Sequence, residues 1–309
     1  MYPVLRVQTV PEKSDPLRRE RSMQVNYRVR TFTPELWGEM DRFAAFYSAS
    51  FPDSTSRDRR AVSGALNHFR KAVVLRNLTE RLRPNIEIDR QQLHQKGYTP
   101  AANSAESAAV IENIFTELYS AIDCTRKIIV ATHTARRLPD STRKLFQRIR
   151  ASLFDEILPT ELIEAFKQAT WYERLLSMRD ELTHSDLGSC HFDEATGKVS
   201  YWHTGLGHRE RPLIIEDIHE RLDSDINDVN LFLGRVFRYL NKLLLDKPIV
   251  QLCGLTGGKA LIRELRPAER ITFDSGVCMS VAWIEADGVP TCPFLCGAYQ
   301  RAKLVNSST

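Results

Sequence analysis

Arg179, Asp180 and His184 are the residues of this chain whose types and spacing best suit chemistry. An arginine carries a permanent charge on a planar fork that fits a phosphate or carboxylate. A histidine titrates near neutrality and moves protons. Asp180 precedes His184 by four residues, so on a helix the carboxylate and the imidazole meet on one face. That pairing, and a position at a helix C-terminus, both favour the charged imidazole. The set fits proton transfer beside a bound anion. The competing reading is an intrahelical ion-pair network with His184 as an ordinary helix-exit residue.

The helix that must position these residues is expected to start near Thr160, after Pro159, and to stop at Gly188. Leu162, Phe166, Ala169, Tyr172, Leu176, Arg179 and Thr183 recur at spacings of three and four and share one face. Arg179 therefore continues an apolar stripe, where a permanent charge needs a partner or a job. Spacing alone is weak support, because about two or three Arg–His pairs this far apart arise by chance counting. A second pair, Arg126 and His133, lies inside an apolar helical run, whereas Arg179 and His184 flank a helix exit with an acid between them.

Other elements follow from the same periodicities. Thr33-Pro34-Glu35 starts a helix running to about Ser48, and a second helix covers roughly 56–82 until Pro84 stops it. Residues 84–102 are polar and read as a linker or boundary. Asn103 with Glu106 is a capping pattern for a long helix that continues to about Arg136. Leu145, Ile149 and Leu153 line a shorter one. Residues 190–203 form a β-hairpin around Glu194–Gly197. The stripe from Ile215 to Leu243 is the cleanest amphipathic helix, ended by Asp246-Lys247-Pro248. A last hairpin is expected around Ala286–Gly288, with strands near Val277–Ile284 and Thr291–Cys296. The expected organisation is an N-terminal helical region over 1–100, a helical domain over 101–247 and a small β segment over 248–309. The fold class is mainly α with small β-hairpin additions.

An all-α domain whose third helix ends in Arg-(polar)-x-x-x-His resembles the HEPN superfamily. The resemblance spans roughly residues 103–247 and rests on Arg179, Asp180 and His184. It implies a metal-independent endoribonuclease of toxin–antitoxin or antiviral-defence type that dimerises so that two motifs face one cleft. Other members of the family are inactive binding or assembly modules. Two departures stand out: Asp180 takes a place where Asn is more frequent, and the 190–203 hairpin interrupts the last two helices. RNA cleavage suits the residue types, since the substrate's own 2′-hydroxyl is the nucleophile. The reaction needs a proton-transfer group, His184, and a cation for the developing phosphorane charge, Arg179, with Asp180 orienting His184. The implied partners are RNA, a second copy of the chain and an antitoxin or defence protein. The alternative is a non-catalytic helical module that binds nucleotide, RNA or a protein.

Composition is permissive. The 309 residues suffice for one large or two ordinary domains, and a net charge of +4 is compatible with nucleic acid without requiring it. No apolar run approaches membrane-spanning length, and the N-terminus lacks the apolar core of a signal peptide, so a cytoplasmic location with reduced cysteines is expected. His184, His191, His203 and His208 match no compact metal motif. Cys292 and Cys296, with Cys253 or Cys278, are a looser candidate for zinc, against which packing among strand residues is the preferred reading. Gly254–Lys259 fails as a phosphate-binding loop, because its spacing is wrong and Ala260 replaces Ser/Thr. Trp202 and Trp283 could stack bases but suit packing better. No cofactor and no metal are expected.

Overall fold

A computed structural model of the chain describes residues 38–182, 187–204, 213–256, 258–267, 274–286, 292 and 297–306. The described residues hold nine α-helices and two three-stranded antiparallel sheets, a mainly α architecture with small β additions. Those up to Leu243 form one compact unit, and those from Leu244 onward belong to a second.

The first unit is built on α2 (Ser56–Lys96) and α3 (Ala102–Thr132). They are antiparallel neighbours: Asp89 meets Asn103, Lys71 meets Glu117 and Gly64 meets Cys124. A Cβ at Gly64 would lie 2.8 Å from the Cys124 sulfur, so the close approach of these helices requires a residue without a side chain there. Glu117 is buried between His68 and Lys71; burial favours its neutral acid, but hydrogen bonds from Lys71 and His68 outweigh that and hold the carboxyl below its usual range.

Against this pair pack α1 (Glu39–Ser50), α4 (Thr142–Arg150), α5 (Thr160–Gln168), α6 (Tyr172–Leu182) and α7 (Ile218–Leu240). The stripe of α7 is buried from Leu222 through Val229, Leu233 and Val236 to Leu240, and Asp217 caps its start by accepting from the Glu220 amide. Aromatic rings join the short helices. Phe146 lies parallel to Tyr172 with centroids 3.5 Å apart, and Phe166 meets Phe232 edge-on at 5.1 Å. The strands β1 (Ser189–Asp193), β2 (Lys198–His203) and β3 (Leu213–Ile215) form a meander in which Cys190 faces Tyr201 and His203 faces Leu213. The Ser104 hydroxyl pins this sheet to α3, donating to the Cys190 carbonyl and accepting from its amide.

In the second unit, β4 (Ile249–Thr256), β5 (Lys259–Leu265) and β6 (Val277–Cys278) pair in that order and are followed by α8 (Val281–Ala286) and α9 (Gly297–Asn306). Its core gathers Leu261, Cys278, Val281, Ile284, Cys292 and Tyr299. Arg263 is buried there, donating to Gln251 and to the Ser275 carbonyl.

Several expectations are corrected. The stretch 84–102 is no linker: α2 runs through Pro84 to Lys96. An interior proline costs about 3 kcal/mol, and the turns beyond it are held by tertiary partners. Arg83 donates to the Gly197 carbonyl, Arg90 pairs with Glu194, and buried Asp89 accepts from Asn103 and from the Ser104 amide. Asp89 thus supplies from α2 the cap that Asn103 was expected to give α3, whose own N-cap is Ala101. The helix expected from Thr160 to Gly188 is two helices. At the break Ala169 leaves the helical conformation, its carbonyl accepting from Arg150 at 2.6 Å and from the Tyr172 amide at 3.1 Å, and α6 restarts at Tyr172. Where the first strand of a hairpin was expected, near Val277–Ile284, there is a two-residue strand followed by α8, and residues 287–291 and 293–296, which hold most of the expected turn and second strand, lie outside the described residues. Thr256 and Lys259 pair in an unexpected hairpin, with Gly258 at φ 74°. The start at Thr33–Glu35, Cys296 and His208 lie outside the described residues.

Candidate functional site

Arg179 sits in the last turn of α6. The apolar stripe behind it stays buried through Tyr172 and Leu176, but at Arg179 the helix leaves the core and the side chain is 39% exposed. Its guanidinium lies over the ring of Tyr119 on α3, 4.9 Å from the centroid. Such an arrangement contributes about 0.5–1 kcal/mol when partly solvated.

Asp180 is the hinge of the site. Its Oδ1 accepts from Arg179 Nη1 at 2.9 Å, and its Oδ2 accepts from Arg143 Nη2, on α4, at 2.8 Å. One carboxylate therefore holds two guanidiniums, one on each oxygen. All three side chains are at least a third exposed, so water screens the pairs and their contribution to stability is about 0–1 kcal/mol each. The arrangement spends little on stability and keeps two forks close to solvent, where an incoming anion can meet them.

The surrounding elements hold this corner rigidly. Thr142, beside Arg143, donates to Asp123 at 2.7 Å, fixing the start of α4 against α3. Asp123 also receives Lys127 and Arg126; these partners overcome its burial and keep it below the usual carboxylate range. Tyr172, under the site, has its phenol pushed up by burial and by the neighbouring Tyr119. Past the end of α6, Glu112 Oε1 accepts from the Gly188 amide and from the Tyr201 hydroxyl, both at 2.8 Å. Burial and the Glu112 carboxylate together raise the Tyr201 phenol well above its normal value.

Arg179 and Asp180 are thus brought together. His184 lies outside the described residues, between Leu182 and Leu187. The partners found for Asp180 among the described residues are the two arginines, which gives it a role not anticipated for it: gathering positive charge. Tyr119 and Arg143 were missed. Tyr119 had a signal, because Glu112, Tyr119 and Asp123 recur along the long α3 as a polar row beside its apolar face; Arg143 had none beyond its position in a basic helix.

The other candidates separate. Arg126 and His133 do not converge on one site: His133 is held by the Ile129 carbonyl and the Tyr239 hydroxyl, and burial lowers its pKa. His203 is buried on β2, whereas His191 points outward against Trp202. Burial pushes the Cys190 thiol up to about 12, so it is inert as a nucleophile. Among the described residues, no three His, Cys, Asp or Glu side chains gather as metal ligands, and no helix is long and apolar enough to cross a membrane. Comparison with family profiles, curated proteins and solved structures finds no match to this chain.

Proposed function

We propose that the protein is a metal-independent endoribonuclease of the HEPN type, acting in a toxin or antiviral-defence setting. The observation that carries this reading is the pair of solvent-reachable guanidiniums, Arg179 and Arg143, drawn onto the single carboxylate of Asp180 at the exit of α6. Planar guanidinium forks within reach of solvent are the donors an RNA phosphate is bound by.

In this reaction the 2′-oxygen of RNA attacks the adjacent phosphorus and loses its proton to His184. The bond from phosphorus to the 5′-oxygen breaks, leaving a 2′,3′-cyclic phosphate, and the departing oxygen takes up a proton. Arg179 carries the phosphorane charge. A second His184 across a two-fold axis supplies the second proton, so the active form is a homodimer. A partner protein of antitoxin kind would act by covering this corner.

The test is incubation of single-stranded RNA and of the matching DNA with purified protein in excess chelator, with product ends identified. RNA cut to 2′,3′-cyclic phosphates, intact DNA, and loss of cutting in Arg179→Ala and His184→Ala are expected. An inert wild-type protein, or an equally active His184→Ala, removes the nuclease reading. The second reading, a non-catalytic module binding nucleotide, RNA or protein, is favoured by one observation. Asp180 already has an arginine on each oxygen, as a purely structural ion-pair network would.

A further inference from the structure

A cleft of about 670 Å³ opens between the α1–α2 connection and the last turns of α3. Its size is that of a small-molecule site. It is lined by Phe51, whose ring stacks on Tyr47 with centroids 5.0 Å apart, and by Val130 and Ala131 of α3.

Arg126 lines the cleft with only 7% of its surface exposed. Its described hydrogen bond is one long contact, Nη2 to Asp123 at 3.2 Å, and its Nε is buried with no hydrogen-bond partner among the described residues. Asp123 cannot offset this cation fully, because it also accepts from Lys127 at 2.6 Å and from Thr142 at 2.7 Å. Two cations thus share one carboxylate, and a guanidinium is left under-satisfied away from water, an arrangement that costs free energy unless something answers it. The acids around the opening do not supply the answer. Asp58 is committed to the start of α2, where it accepts from the Thr55 amide and hydroxyl. Asp53 and Asp140 are exposed, and the exposed Arg57 stands among them.

We infer that this cleft binds a small aromatic oxyanion, an aryl carboxylate or aryl phosphate, with its charged group on Arg126 and Lys127 and its flat ring between Phe51 and Val130. The under-satisfied guanidinium selects one anionic group, and the Phe51 ring with Val130 and Ala131 selects a planar apolar body. The inference does not rest on the nuclease reading: Asp123, which Arg126 and Lys127 share, also fixes Thr142, but no residue of the cleft contacts Arg179, Arg143 or Asp180 in a described hydrogen bond or ion pair.

The experiment is calorimetric or NMR titration of the full chain with phenyl phosphate, benzoate, inorganic phosphate and benzyl alcohol. Phenyl phosphate or benzoate is expected to bind at least about tenfold more tightly than both inorganic phosphate and benzyl alcohol. Comparison of the first two decides between phosphate and carboxylate. Lys127→Met, at a side chain one-third exposed, should keep the fold and weaken the preferred probe by about tenfold, because Asp123 then neutralises Arg126 alone. Arg126→Met should abolish binding where circular dichroism shows it folded. No saturable binding of either aromatic anion at about 10 mM, equal binding of benzyl alcohol, or a Lys127→Met protein that binds within twofold of wild type would overturn the inference.

Discussion

The Arg179 guanidinium rests 4.9 Å above the Tyr119 ring, so the cation at the end of α6 is aimed by an aromatic side chain on α3. The ring face, not the hydroxyl, makes this contact. Tyr119→Phe should therefore leave RNA cleavage within about twofold of wild type, while Tyr119→Leu should lower kcat/KM by about two- to fivefold, the equivalent of an exposed cation–π contact. Arg179→Lys should lose much more, about a hundredfold, because a point charge replaces the fork. Steady-state cleavage of a fluorogenic RNA measures all three. Equal losses in the Phe and Leu variants would mean that the hydroxyl, not the ring face, matters.

Asp180 should matter more for activity than for stability. Its partners are exposed enough that Asp180→Asn should shift the unfolding free energy by less than about 1 kcal/mol, read from urea midpoints. Cleavage should fall by an intermediate factor, since an amide has one oxygen to offer and cannot hold both Arg179 and Arg143. The residual activity should be more sensitive to salt, because the guanidiniums are then placed by weak forces alone. A large loss of stability with activity intact would assign Asp180 a structural role.

Stability should fall as the pH drops below neutrality. Burial depresses His133, whose ring is held by Tyr239 and the Ile129 carbonyl, and burial is also the first cause of the lowered value of His219. A depressed folded-state pKa means that the unfolded chain binds the proton more readily. The stabilisation is therefore complete above the unfolded value near 6.5 and is lost as pH falls from there toward the folded values. The urea midpoint should be lower at pH 5.5 than at pH 7.5, and His133→Gln, which cannot titrate, should shrink that difference while lowering stability at both.

What the sequence disclosed depended on whether a signal was local. The stripe of α7 and the turn of the 190–203 hairpin lie in consecutive residues, and both elements are found, although Ile215, expected to open the helix, ends β3 and the helix starts at Ile218. Pro84 misled because its cost is local while its compensation is remote: Gly197, Glu194 and Asn103 are distant in sequence from the turns they hold. The break before Tyr172 was hidden for the same reason, since the Arg150 side chain that meets the Ala169 carbonyl there comes from another helix. In the second unit, short alternating runs suited strand and helix alike, and residues 281–286 became a helix. At the site, Arg179 and Asp180 were legible as neighbours in one motif, but Arg143 reaches Asp180 only through tertiary packing.

Gly188 offers a way to disturb the far end of the site without touching its charges. A Cβ there would lie 2.5 Å from the Tyr201 hydroxyl and 2.6 Å from two of its ring carbons. Tyr201 is fully buried and its hydroxyl is bound to Glu112, which also accepts from the Gly188 amide, so neither ring nor backbone can yield without breaking a hydrogen bond. Gly188→Ala should destabilise the protein by about 2–3 kcal/mol, the range for overpacking combined with a lost buried hydrogen bond. Gly188→Ala with Tyr201→Phe should recover part of this, since the hydroxyl is one of the clashing atoms. Because Gly188 follows His184 by four residues, the single variant should also cut RNA cleavage more than its loss of folded protein explains, measured at a temperature where circular dichroism shows it fully folded. A Gly188→Ala protein as stable as wild type would show that the amide of Gly188 and the ring of Tyr201 are not packed as described.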